Sequence, residues 1–241
     1  MRFVPVKTTE QKSRLMLHWA RDLLMRQRTQ LINALRAHMA ELGVEAAQGR
    51  EGIGELLKII ASERDTRLPV DAHTSLVVLA AGVHALQTMI GSIEKRIVAQ
   101  HRSDEASKRL RFVPGIGIVG ATAIVATIPD PKAFRWGWDF VASIGLVPRQ
   151  DSTGGKQKLG PISKQGDQYL RRILVVGAHA ILKRARRQPE KYSWVTRLLG
   201  RKPSKVVAVA LANKMARIAW AMLVKVGTYR APALTVAAQG I

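Results

Sequence analysis

The stretch Leu76-Val77-Val78-Leu79-Ala80-Ala81-Gly82-Val83-His84-Ala85-Leu86-Gln87-Thr88-Met89-Ile90-Gly91-Ser92-Ile93-Glu94-Lys95-Arg96-Ile97 sets the fold class. Its apolar residues Leu76, Leu79, Val83, Leu86, Ile90, Ile93 and Ile97 recur at alternating steps of three and four. That period lays one stripe along an α-helix and is incompatible with the two-residue alternation of a half-buried strand. Pro69 and Asp71 open the segment. Upstream, Leu17, Ala20, Leu24, Leu31, Leu35, Met39 and Leu42 have related spacing, which predicts a helix over 8–42 closed by Gly43. A shorter helix is expected over Glu55–Glu63. Two long helices around a short one form an antiparallel hairpin, and the stripe either holds that hairpin together or also pairs with a second copy.

Beyond Asp104-Glu105-Ala106-Ser107-Lys108 the character changes: four of the five tryptophans follow, and the helices shorten. A boundary is expected near residue 105, giving a helical-hairpin or coiled-coil module over 1–105, a second domain over 106–226, and a loose tail over 227–241. The last helix of the second domain is expected over Ser204–Val226; Lys214, Arg217 and Lys225 argue against reading it as a membrane span. The expected fold is all-α.

Charge separates the two parts. Of a formal net charge of +22, residues 1–105 carry +3 (15 basic, 12 acidic) and residues 106–241 carry +19 (24 basic, 5 acidic). A surplus confined to one region is a footprint for a polyanion, and its spread over several helices and glycine-rich turns favours nucleic acid over a membrane surface. With no cysteine there is no disulfide framework and no thiolate chemistry. Together with an amino-terminal stretch that lacks an apolar signal core, this points to a cytoplasmic, nucleoid-associated address. The six histidines lack metal-ligand spacing, and no two of the five carboxylates in the basic part are spaced to converge.

Three segments of the basic part carry candidate chemistry. Phe112-Val113-Pro114-Gly115-Ile116-Gly117-Ile118-Val119-Gly120 has the pattern of a helix-hairpin-helix, with Gly115 and Gly117 permitting a tight turn whose backbone N–H groups can meet a phosphate. An ordinary helix-helix turn would use the same residues for packing. The segment from Gly145 to Asp167 is too polar for a core and too patterned for a spacer. It sets Ser152 and Thr153 before two glycines, among Arg149, Lys156, Lys158 and Lys164. A hydroxyl beside N–H donors and cations suits attack on a phosphorus atom; a solvated basic loop is the alternative. The next helix, over Asp167–Arg187, is capped by Asp167 and offers Arg171 and Arg172 as phosphate contacts.

These residues resemble a known family. Arg2-Phe3-Val4-Pro5-Val6-Lys7, Arg26-Gln27-Arg28-Thr29-Gln30-Leu31-Ile32-Asn33-Ala34-Leu35-Arg36, the Pro-Gly-Ile-Gly turn, Gly145-Leu146-Val147-Pro148-Arg149-Gln150, Ser152-Thr153-Gly154-Gly155-Lys156 and Ile162-Ser163-Lys164-Gln165-Gly166-Asp167 look like insertion-sequence transposases of the one-ten/eleven-eleven family. The resemblance runs from residue 2 to about 226. It implies a DNA recombinase with two catalytic parts, a metal-binding DEDD domain and a carboxy-terminal domain bearing a serine nucleophile. It also implies a guide RNA beside DNA as partner, while a homo-oligomer is the expectation that the pairing of the hairpin stripe with a second copy would meet. It puts the nucleophile on Ser152, with Thr153 and Ser163 as alternatives, and sets Arg149, Lys156 and Lys164 around the scissile phosphate. In relatives the acidic domain precedes the Arg-Phe-Val-Pro segment, which here begins at residue 2. The chain therefore reads as the carboxy-terminal part of a transposase, with Mg2+ expected only alongside the acidic domain. A non-catalytic nucleic-acid-binding protein and a helical adaptor that binds no nucleic acid are the rival readings.

Overall fold

A computed structural model describes residues 6–62, 66–150, 152 and 159–229. The order is α1 (Thr9–Glu41), α2 (Arg50–Ile60), α3 (Val70–Ser103), α4 (Glu105–Leu110), α5 (Ile118–Thr127), α6 (Gly137–Ser143), β1 (Pro148–Gln150), β2 (Leu159–Ile162), α7 (Gln168–Ala185), α8 (Ser193–Leu199) and α9 (Ser204–Lys225). A single 3-10 turn, Pro131–Ala133, precedes α6. The described fold is predominantly helical. It divides into two units: residues 16–97, and a second unit drawn from residues up to Leu15 together with those from Val98 on. The division therefore cuts through α1 and α3, whereas the sequence suggested a single break near 105.

In the unit of residues 16–97, α1 and α3 run antiparallel. Arg21 donates to Glu94 at 2.6 and 2.8 Å, Arg28 donates to Gln87, and Leu31 lies against Gly82, so partners recede along α3 as α1 advances. Every seventh residue of the stripe (Leu76, Val83, Ile90, Ile97) is buried, while Leu79, Leu86 and Ile93 are half-buried. Leu35, Met39, Val44, Leu56, Ile60 and Leu68 complete the core between the three helices. α1 ends where expected: Gly43 takes φ +72, and the N–H of Val44 donates to the carbonyl of Met39, the bond that closes a Schellman cap. α2, in contrast, starts five residues before the expected Glu55. Gly52 and Gly54 weigh against helix by propensity, yet a Cβ at Gly52 would stand 1.8 Å from the carbonyl oxygen of Ala47. Only glycine admits that approach. Arg36 then ties the connection down through the carbonyls of Ala46, Ala47 and Gly49.

The second unit is organised around α9, which packs on α4, α6, α7 and α8. Ala208, Ala212, Ala216 and Ala219 are fully buried along one side of α9. Their small side chains allow close approach by α7, whose Leu170, Leu174, Ala178, Ile181 and Ala185 form the facing stripe. Phe140 of α6, Ile144 just past it, Leu110 of α4 and Ile124 of α5 fill the remaining core. Asp104 caps α4 by accepting from the N–H of Ser107, and its other oxygen holds Arg14 at 2.9 Å. α3 and α9 are the two described helices long and apolar enough to cross a membrane. Half of the apolar window of α9 is buried inside this core.

Candidate nucleic-acid interface

The segment between α6 and α7 is a two-stranded antiparallel ribbon on a rigid base. β1 and β2 pair Pro148 with Ile162 and Gln150 with Leu159, with an irregular register between them. Pro148, Arg149 and Gln150 of β1 are all exposed, whereas Ile162 of β2 packs partly against the core. Below it, two stretches of backbone lie directly on each other. A Cβ at Gly145 (φ +67) would sit 2.2 Å from the carbonyl oxygen of Gln165, and one at Gly166 (φ +78) would sit 1.8 Å from that of Ser143. Both positions demand glycine on sterics and on φ. The N–H of Ser163 donates to Val147, that of Lys164 to Gly145 and that of Asp167 to Ser143, at 2.8, 3.2 and 3.3 Å.

Two long-range side chains lock this base. Arg171, one turn into α7, donates through Nη1 to the carbonyls of Ile144 (2.9 Å) and Gln165 (3.1 Å). Asn213 of α9, itself buried, donates through Nδ2 to the carbonyl of Leu146 at 3.1 Å. Each satisfies a carbonyl that the turn leaves without a ladder partner. The sequence marked Arg171 only as a phosphate contact; its half-buried guanidinium positions the loop. Asn213 escaped notice, although it is the one uncharged polar residue between Val206 and Val224. Asp167 is the N-cap of α7, accepting from the N–H of Leu170 at 2.8 Å.

Around this base stand exposed cations. Arg149 lies on β1, and its Nη2 reaches the carbonyl of Ser163 at a long 3.4 Å. Lys164 is exposed and held at φ +57, a left-handed backbone that non-glycine residues adopt uncommonly. Arg172 is exposed, with its guanidinium 5.6 Å from the Tyr169 ring centroid. Lys183, Arg184, Arg186 and Arg187 continue the basic surface along the carboxy-terminal part of α7 and just past it. Ser152 is exposed on the segment joining β1 to β2, and Ser163 at its foot is half-buried. Thr153, Lys156 and Lys158 lie outside the described residues.

The Pro-Gly-Ile-Gly turn divides its two glycines between different tasks. Gly115 (φ +90) packs inward: a Cβ there would meet the Met215 side chain at 2.6 Å, and its carbonyl oxygen would stand 2.1 Å from a Cβ on Gly177 of α7. The turn thus rides on α7 and α9, and packing alone accounts for Gly115. Gly117 faces outward with nothing near it and stands at the amino-terminal cap of α5, where no side chain caps the helix. The first N–H groups of a helix have no intrahelical acceptor, so this end presents donors. Among the described residues no three His, Asp or Glu side chains converge as metal ligands.

Residues 107–193, which contain the turn, the ribbon and α7, match the family described as "Transposase IS116/IS110/IS902 family". A Pseudomonas aeruginosa protein named "Probable family 20 transposase" is 42% identical over 232 residues, covering 95% of this chain and 69% of its own length. The chain belongs to this transposase family. A Sinorhizobium fredii relative is 44% identical over 232 residues, and a Coxiella burnetii protein named "Transposase for insertion sequence element IS1111A" is 36% identical over 231. The chain spans 59% and 64% of the length of those two transposase-family relatives.

Proposed function

We propose that this chain is the DNA-holding, nucleophile-bearing portion of an insertion-sequence recombinase, acting in the cytoplasm at the nucleoid. The observation that carries the reading is the anchored ribbon: an exposed hydroxyl at Ser152 on a segment fixed at its base by Arg171 and Asn213 and edged by Arg149 and Lys164. A nucleophile on a rigid base can be aligned with a phosphorus atom, and cations near the equatorial phosphate oxygens stabilise charge that grows in the transition state. In the proposed step Ser152 Oγ attacks the phosphodiester. An O–P bond forms to serine, the bond from phosphorus to one sugar oxygen breaks, and that oxygen leaves as the strand's free hydroxyl with the serine proton. Reversal onto another strand end reseals DNA and releases the serine. Gly117 and the cations of α7 hold the flanking backbone without reading sequence. A guide RNA and assembly into a homo-oligomer are part of the same proposal.

The residues described do not fit the divalent metal that the family resemblance implies, because their carboxylates do not converge. No step is routed through one. A second reading is that this chain binds nucleic acid through its exposed cations and leaves strand cleavage to other residues.

A DNA carrying a bridging phosphorothiolate at the cleaved position separates the two. Its sulfur leaves irreversibly, so a serine adduct accumulates and migrates slowly on a denaturing gel. The catalytic reading expects that adduct with the wild-type chain and not with Ser152→Ala, while both bind duplex equally. Adduct formation that survives Ser152→Ala and disappears with Ser163→Ala moves the nucleophile. No adduct under conditions of full binding, with a full-length relative supplied in trans, removes the catalytic reading.

A further inference from the structure

Away from the ribbon, α8, α9 and the end of α7 enclose an open groove of about 1470 Å³. It exceeds the ~300–1,000 Å³ of ordinary small-molecule pockets, so it suits an extended ligand. Its wall carries three half-buried aromatic rings, Tyr192, Trp194 and Tyr229, and methionines 215 and 222 line the floor. Five cations and a single carboxylate, Glu190, share that lining. Lys214 is the telling one. It is half-buried on α9, its Nζ stands 4.3 Å from the centroid of the Trp194 ring, and no described carboxylate pairs with it. Burial, and then Arg217, push its pKa down. Its ammonium, partly screened from water and held over the Trp194 ring with no carboxylate beside it, is placed to pair with a phosphate.

Resting on the reading that this chain handles DNA, we propose that the groove between α8 and α9 holds an unpaired stretch of a DNA strand, with a phosphate at Lys214 and bases against the aromatic wall. Cationic side chains that follow a backbone, interleaved with rings that accept any base face, are the shared chemistry of single-strand binding. A duplex keeps its base faces stacked inside and cannot use the rings. An acidic peptide would satisfy Lys214 and leave the three rings without a planar partner.

The test measures anisotropy of a fluorescent oligothymidylate of about 12 nucleotides against a duplex of equal length. Lys214→Gln and, separately, Tyr229→Ala are expected to weaken single-strand binding about tenfold each and to leave duplex affinity within about twofold. An oligonucleotide carrying 5-iodouracil should crosslink to Tyr192, Trp194 or Tyr229. Tyr229 is at the margin of the core, so its replacement guards against a Lys214 variant that fails to fold, and circular dichroism checks both. Unchanged single-strand affinity, an equal loss on duplex, or crosslinks outside the groove overturn the proposal. So does tighter, variant-sensitive binding of the RNA of the same sequence, which would name the wrong polymer, or a loss of self-association, which would make a second copy the occupant. A chain that binds no nucleic acid sinks the proposed function with it. Duplex binding without a single-strand site sinks the groove alone.

Discussion

Residues 16–97 and the chain beyond Lys108 handle charge in opposite ways. In the unit of residues 16–97, cations meet acids or carbonyls of the same fold: Arg21 with Glu94, Arg26 with Asp22, Arg36 with three carbonyls. In the other unit no ion pair joins two described residues beyond Lys108. There the cations stand against aromatic rings, as Arg217 does at 4.3 Å from Trp138 and Arg135 does at 5.5 Å from Trp136. Surface ion pairs add little stability, so the stretch beyond Lys108, where no two described residues form one, loses little in folding and keeps its positive field. Near-neutral scaffold and uncompensated clamp are thus distinguished by what their cations face, not only by how many they have.

The largest expected effect tests that contrast directly. If the clamp meets about 6–10 phosphates, affinity of the full chain for duplex DNA should fall about 10³–10⁵-fold between 50 and 200 mM salt. Replacing Arg149, Lys164 and Lys183 by Gln should flatten the plot of log affinity against log salt by about one unit per residue. Replacing Arg50, Lys58 and Lys95 of the hairpin unit should leave its slope alone. Equal flattening by both sets, measured by filter binding, would erase the distinction between the units.

Glycines sharpen it next. Gly166→Ala forces a Cβ to 1.8 Å from a backbone carbonyl at φ +78, and backbone cannot swing aside as a side chain can. We expect a loss of about 2–4 kcal/mol in the unit that carries the ribbon. Gly43→Ala has the same sign of φ, +72, but nothing within 4 Å, so only the left-handed backbone resists and the cost should be about 1 kcal/mol. Hydrogen exchange resolves the two units, and similar losses at both glycines would mean that the ribbon base yields.

How much of this was legible follows from the range of each interaction. The hairpin could be read because its stripe repeats every three or four residues on one helix. The cap at Asp167 could be read because it accepts from an N–H three residues on, in the helix it opens. The ribbon could not, since Pro148, Arg149 and Gln150 are exposed and leave no alternating apolar signal. Arg171 and Asn213 were opaque for another reason: they serve carbonyls 27 and 67 residues away, and a carbonyl is the same at every position. The family was visible in local motifs, whereas what holds the base of the loop depends on the folded chain.

Acid should act on the hairpin unit through His18. This side chain is fully buried on α1, and burial, then Arg21, lower its pKa from 6.5 to about 4. The unfolded chain takes up the proton first, so stability is complete above pH 6.5 and declines as pH falls toward 4. The full loss below that amounts to about 3 kcal/mol. His101, in the other unit, shifts in the same direction by burial and the nearby Arg111, so its unit shares the sign. His18→Leu should flatten the decline in the hairpin unit only. An unaltered acid profile in that variant, followed by hydrogen exchange, would assign the transition elsewhere.

The smallest effect is the one the charge contrast most needs to be small. Arg21 and Glu94 meet at 2.6 Å with side chains 20% and 42% exposed, which is short geometry in a screened setting. Double-mutant cycles on such pairs give about 0.2–1 kcal/mol. A cycle through Arg21→Gln and Glu94→Gln should therefore couple by less than about 1 kcal/mol and weaken further in salt. Asn213→Ala, with no charge involved, should cost more, about 1–3 kcal/mol, because it strands the buried carbonyl of Leu146. If the ion pair proved the stronger, charge compensation would be a source of stability in the hairpin, and the clamp's lack of it would be a real sacrifice. If the neutral hydrogen bond wins, the basic region can leave its cations to the proposed DNA ligand at almost no cost to its fold.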